Sequence, residues 1–114
     1  MKQFIIISLD RPKNPASDLD KQALIQLFDA KPVLGSYKGQ TETSFLVDYS
    51  YFDSMIQIAM KYGQESILVK DSTAIYLVYP ETLAYSKLGN EFRMSNVMPD
   101  SDAWTLIDET YFYL

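Results

Sequence analysis

The sequence contains neither cysteine nor histidine. Without thiols no disulfide can form, and without thiolates or imidazoles the usual zinc sites are excluded. The same two absences remove a cysteine nucleophile and any Ser–His–Asp triad. Acid–base work would fall on Asp, Glu, Lys or Tyr. A metal site would have to be built from carboxylates, with a third acidic ligand that the sequence does not supply. No metal and no cofactor is therefore expected. Glycine is also scarce, at four residues, and no phosphate loop or dinucleotide fingerprint is present. Lys and Arg number 10 against 15 Asp and Glu, a net charge of −5. With no basic cluster, this balance speaks against direct nucleic-acid binding, and the charge is mild for an acidic mimic of DNA. No apolar run approaches the ~20 residues of a membrane span. The short run Phe4 to Ile7 lacks a cleavage site after it, so it does not read as a signal peptide. The default reading is a cytoplasmic protein without membrane contact.

What is present suits one modest core. At 114 residues and 47% hydrophobic, the chain is read as a single domain over residues 1–114. Phe4 to Ile7 reads as a buried strand, and the prolines at 12 and 15 interrupt regular structure after it. Ser17 is a natural N-cap, and Leu19, Ala23, Leu24, Leu27 and Phe28 recur at helical spacing. Lys31-Pro32 is taken as the end of that helix. A turn around Gly39 leads into a strand whose alternation places Glu42, Ser44 and Leu46 on one face and Thr43, Phe45 and Val47 on the other. Ser50 with Asp53 suggests a capping box for a second helix that ends at Gly63. Short strands occupy the rest of the chain, the last two forming a hairpin around Asp108-Glu109. The predicted class is α+β: a mainly antiparallel sheet of roughly five to eight strands with two helices packed on one face.

Hydrogen-bonding side chains gather around two of these segments, GSYKGQTETSF and KYGQES. Glu42 and Ser44 share a strand face, Gln64 and Glu65 sit at a helix exit, and Tyr37 and Lys38 occupy the neighbouring turn. Together they offer neutral donors and acceptors, a carboxylate, a cation and a stacking face, a set that suits a small nucleotide-like ligand or a peptide. The plainer reading is that Gln64 satisfies the helix end while Glu42 pairs with Lys38. Arg11 and Asn14 form a second candidate on a proline-stiffened loop, where Arg11 could meet a phosphate or carboxylate; an Asx turn explains them as well. The third is aromatic. Nine tyrosines are many for this length, and Trp104, Tyr111 and Tyr113 are the expected partner-binding anchors, with core packing as the ordinary alternative. A last strand apolar on both faces could close the sheet or pair across a homodimer. The acidic pairs Asp100/Asp102 and Asp108/Glu109 read as solvated turn charges.

Asn14-Pro15 after a first strand, Gly35 and Gly39 around a turn, the Glu42-Thr43-Ser44-Phe45 strand and Gly63-Gln64-Glu65-Ser66 after a second helix occur in this order. In this the chain resembles an uncharacterised-domain family of small phage and bacterial proteins, although Asp20 and Lys21 stand where that pattern has Asn and Arg. The resemblance implies a phage or mobile-element accessory but no activity. With no catalytic constellation evident, the expected function is non-catalytic. The protein would sequester or block a host protein or a nucleotide-like ligand, as an inhibitor of a host enzyme or defence system. Two alternatives are an enzyme acting on a nucleotide or base, with Glu42 or Glu65 as general base and Lys38 or Arg11 on phosphate, and a structural or assembly protein.

Overall fold

A computed structural model describes residues 3–10, 16–37 and 39–114. Among the described residues nine strands form one sheet: β1 (Phe4–Ile7), β2 (Lys31–Tyr37), β3 (Gln40–Asp48), β4 (Ile67–Lys70), β5 (Ile75–Val78), β6 (Tyr85–Gly89), β7 (Arg93–Ser95), β8 (Ala103–Ile107) and β9 (Thr110–Tyr113). The other regular elements among the described residues are two helices, α1 (Asp18–Phe28) and α2 (Phe52–Lys61), with a 3-10 turn at Tyr49–Tyr51. The strand order is β6-β5-β4-β1-β3-β2-β8-β9-β7, and every neighbouring pair is antiparallel.

This architecture corrects the expected one. The sheet has nine strands rather than five to eight, and it is curled into a half-barrel. The curl is dictated by one connection. The edge strands β6 and β7 are joined only by residues 90–92, a link that spans at most about 14 Å when fully extended. A flat sheet of this many strands would set its edges about 38 Å apart. Only by curling can the chain step from one edge to the other. The sequence marks these two strands only weakly, Leu83 to Lys87 as a further strand and Glu91 to Val97 as an edge strand or loop, because β7 is three residues long and β6 is almost wholly exposed, so neither carries an apolar alternation.

Each face of the curled sheet has its own core. Ile5, Ile7, Phe45, Val47, Ile67 and Val69 point toward the helices and pack with Leu24, Met55, Ile56 and Ala59. The residues between them in sequence, Phe4, Ile6, Leu46 and Leu68, face into the curl with Val33 and Ile107. Phe92, from the short crossover, stacks on Phe4 at 6.0 Å and meets Phe112 edge-on at 6.2 Å. The inner face is therefore plugged at one end by aromatic rings.

Several local expectations are revised. On α1 the buried residue is Leu24, with Ile25 and Phe28 packed beside it, while Leu19 and Leu27 are 83% and 71% exposed. Leu19 precedes Leu24 by five positions, about 140° round the helix at 3.6 residues per turn, so the two cannot share a buried face. Asp29, in a left-handed conformation, ends the helix. Lys31 and Pro32 already belong to β2, where pairing with β8 begins only at Leu34, so the missing donor of Pro32 is tolerated. The second helix is not opened by a Ser50–Asp53 box; Asp48 caps the preceding 3-10 turn through the amide of Ser50, 2.9 Å away. Gly35 lies inside β2, not on a turn, and Gly39 takes the positive φ of 81° there. The Asp108-Glu109 hairpin is formed as predicted, both residues at positive φ, which a two-residue I′ turn requires.

Candidate active site

Above the aromatic plug the inner face turns polar and borders a half-open cavity of about 590 Å³, within the range of small-molecule sites. Its floor is apolar, from Ile6, Leu68, Leu77, Phe92 and Phe112. Its upper wall is set by strand register. β3 contributes Glu42 and Ser44; β2 places Gly35 opposite Glu42; β8 places Thr105 opposite Gly35. Ser8 extends the Phe4, Ile6 alternation of β1 by one step, replacing a hydrophobe with a hydroxyl where the cavity opens. The segment Gln64-Glu65-Ser66 enters from the exit of α2, just before β4.

One knot of hydrogen bonds holds this rim together. The Gln64 Nε2 donates to the backbone carbonyl of Asp10 at 3.0 Å. The Asp10 carboxylate accepts from the Ala16 amide at 3.0 Å and pairs with Lys21 Nζ at 3.3 Å. The end of β1, the start of α1 and the α2 exit are thereby fixed to one another. Gln64 does not satisfy the helix end with its side chain, contrary to the plainer expectation; its own backbone amide reaches Ala59 O at 2.8 Å.

Glu42 stands at the solvent-facing rim. The protein around it still shields part of its carboxyl, and this burial, together with the negative charge of Asp10, raises its pKa above the ordinary 4.5; a hydrogen bond with Ser8 opposes the rise. Among the described lining residues, Glu42 and Glu65 are the charged acids or bases, both negative. A cavity with that sign suits a cationic ligand that also carries apolar surface. Among the described residues no cluster of three or more Asp and Glu is placed to hold a metal ion.

The structure thus brings four of the expected ligand-binding residues, Glu42, Ser44, Gln64 and Glu65, to one cavity. Tyr37 ends β2, its backbone paired with Gln40. Arg11, Asn14 and Lys38 lie outside the described residues. Trp104 and Tyr113 contribute to the cavity wall, and Trp104 is buried with its ring edge-on to Tyr111 at 5.0 Å. Strand β9, carrying both tyrosines, is hydrogen-bonded on one side to β8 and on the other to β7, so its backbone has no open edge for a second copy. Sequence reasoning missed Ser8, Gly35 and Thr105. Ser8 was within reach, by carrying the period of two one residue past the hydrophobic run; Thr105 and Gly35 depend on a pairing between segments some 70 residues apart, which no local pattern reveals. No helix among the described residues is long and apolar enough to cross a membrane.

A model of the S-adenosylmethionine lyase family matches residues 9–114. No curated protein matches the chain. The family match overturns the resemblance to an uncharacterised phage domain. It also overturns the reading as a non-catalytic binding protein, inhibitor or anti-defence factor, since the family is one of lyases; the enzyme alternative fits better. The physical source of the difference is that the absence of His and Cys removes particular mechanisms and not catalysis as such. Matched over nearly its whole length, the chain belongs to the S-adenosylmethionine lyase family.

Proposed function

We propose that this protein cleaves S-adenosylmethionine in the half-barrel cavity, without water and without a covalent enzyme intermediate. The observation that carries the reading is the family match across residues 9–114, and the acidic, apolar-floored cavity agrees with it. S-adenosylmethionine is a sulfonium, and its carboxylate oxygens lie four bonds from the Cγ that the sulfonium activates. One of those oxygens attacks Cγ, the C–S electron pair leaves with sulfur, and a five-membered lactone closes. The products are homoserine lactone and 5′-methylthioadenosine. Every atom is accounted for within the substrate, and no proton need move in the bond-changing step.

The protein's task is then to bend the methionyl chain so that carboxylate and Cγ meet, and to keep water away. Attack of an anion on a cationic centre destroys charge, so a shielded site favours it over bulk water. Glu42 and Glu65 at the rim hold the α-ammonium by charge-assisted hydrogen bonds. Ser8, Ser44 and Gln64 orient the polar groups, and the apolar floor of Phe92, Phe112 and Leu77 receives the uncharged part of the nucleoside and the thioether product. A cytoplasmic location follows from this substrate. The chemistry leaves no role for a general base, so Glu42 and Glu65 are binding groups in this reading.

The test is to incubate purified protein with S-adenosylmethionine and identify products by mass spectrometry. Homoserine lactone and 5′-methylthioadenosine in equal amounts are expected. Vinylglycine would instead show proton abstraction from Cβ and would overturn the ring-closure route. No consumption of S-adenosylmethionine would overturn the proposal.

A further inference from the structure

Glycine in the interior of a strand weakens it and is normally explained by a bulge, a positive φ or something lying close to the backbone. Gly35 is such a residue, fifth of the seven in β2. It is not a bulge, because its pairing with both Glu42 and Thr105 is in regular register. Its φ is not positive, unlike those of Gly39 and Gly63. Nor does packing forbid a side chain: a Cβ at position 35 would lie 3.5 Å from Ser44 Oγ and 3.8 Å from the Glu42 carbonyl oxygen, both ordinary contacts. The protein's own structure therefore gives no reason for glycine here.

The cavity gives one. Gly35 lines it, flanked by Glu42 on one side and Thr105 on the other. The backbones of those two neighbours stand about 9.6 Å apart, two strand spacings. The missing side chain leaves a gap in the wall one residue wide, bordered by Ser44 Oγ.

We propose that Gly35 is a specificity-determining residue, and that the ligand crosses the wall of the half-barrel there in direct contact with the β2 backbone between Glu42 and Thr105. The inference rests on the reading of the cavity as the S-adenosylmethionine site. In it, Gly35 sets how thick a group can pass over the sheet.

The test is a size series at one position, Gly35→Ala and Gly35→Val, with S-adenosylmethionine as the probe. Binding is measured by calorimetry, turnover by product formation, and stability by thermal unfolding. Gly35→Ala should raise KM about tenfold, the scale on which a site resolves one added carbon, with kcat nearly unchanged. Gly35→Val should weaken binding further. Both should unfold at the wild-type temperature or above it, because alanine and valine suit a strand better than glycine. This opposition of higher stability to weaker binding separates a ligand slot from a structural requirement, which would move both downward together. Wild-type affinity and KM in a folded Gly35→Ala protein would overturn the inference alone, even if Gly35→Val failed to fold. A wild-type protein that neither binds nor cleaves S-adenosylmethionine would remove the parent reading, and this one with it.

Discussion

The side-chain amide of Gln64 donates to the backbone carbonyl of Asp10 across 54 residues of sequence, at 3.0 Å. The bond joins the exit of α2 to the end of β1, and the Asp10 carboxylate extends the tie to the start of α1. Both loops border the cavity. Gln64 thus acts as a strut for the rim as well as a lining residue.

Gln64→Ala should leave that part-buried carbonyl without its partner. A loss of about 1–2 kcal/mol in unfolding free energy is expected, the usual cost of an orphaned buried acceptor, read by urea denaturation. KM for S-adenosylmethionine should rise as the rim loosens. Unchanged stability and unchanged KM together would show that the strut is not needed.

Glu42 titrates above its ordinary 4.5 because burial and Asp10 disfavour its charged form. For a carboxyl raised by folding, the contribution to stability is present below the unfolded value and is lost as pH rises through the folded one. Relative to Glu42→Gln, the wild type should therefore lose stability as pH rises through and beyond 4.5, detected as a narrowing or reversal of the Tm difference. Binding of the cationic substrate should strengthen over the same interval, since the carboxylate form is the one that holds an ammonium. A Tm difference flat from pH 4 to 8 would contradict the assignment.

The connection between β4 and β5 is held by one carboxylate. Asp71 accepts from the amides of Thr73 and Ala74, both at 2.8 Å, and from the Thr73 hydroxyl at 2.9 Å. These bonds, led by that from the Thr73 amide, lower its pKa below the ordinary 3.8. The stability they supply is present above the unfolded value and is lost as pH falls through the folded one. Asp71→Ala should lower Tm at neutral pH, and the gap should close only in strong acid. A gap independent of pH would mean that the side chain acts through packing and not through its charge.

Phe92 joins the rings of Phe4 and Phe112 from the crossover between the two sheet edges. It is only partly buried, so Phe92→Ala should cost less than the roughly 3–5 kcal/mol of a fully buried phenylalanine, about 2 kcal/mol. Turnover should fall by more than stability accounts for, because the cavity floor and the closure of the half-barrel depend on the same ring. The comparison is of kcat/KM measured well below the variant's unfolding temperature.

Elements with strong local signals were legible from sequence. The period of two in Thr41 to Asp48 assigned Glu42 and Ser44 to one face, and the structure has both lining the cavity. Four residues of the candidate ligand set meet there although β3 and the α2 exit are distant in the chain. What stayed hidden was non-local. The short exposed strands β6 and β7 carry no burial pattern, and Gly35 looked like a turn residue because Gly39 comes so soon after it. The catalytic class was obscured for a chemical reason: on the proposed route the substrate supplies its own nucleophile and leaving group, and asks nothing of the His and Cys side chains whose absence weighs against catalysis.

The strand order carries a consequence for synthesis of the protein. Strand β1 lies in the middle, and β2 to β6 add to its two sides before the chain crosses by Asn90, Glu91 and Phe92 to build β7, β8 and β9 on the far flank. The wall residue Thr105 and the floor residue Phe112 therefore come from strands translated after β1 to β6. A chain ending near Asn90 lacks Phe92, Thr105 and Phe112, and with them part of the cavity's wall and floor. The cavity therefore has its full wall and floor only once β7, β8 and β9 have docked on strands made before them.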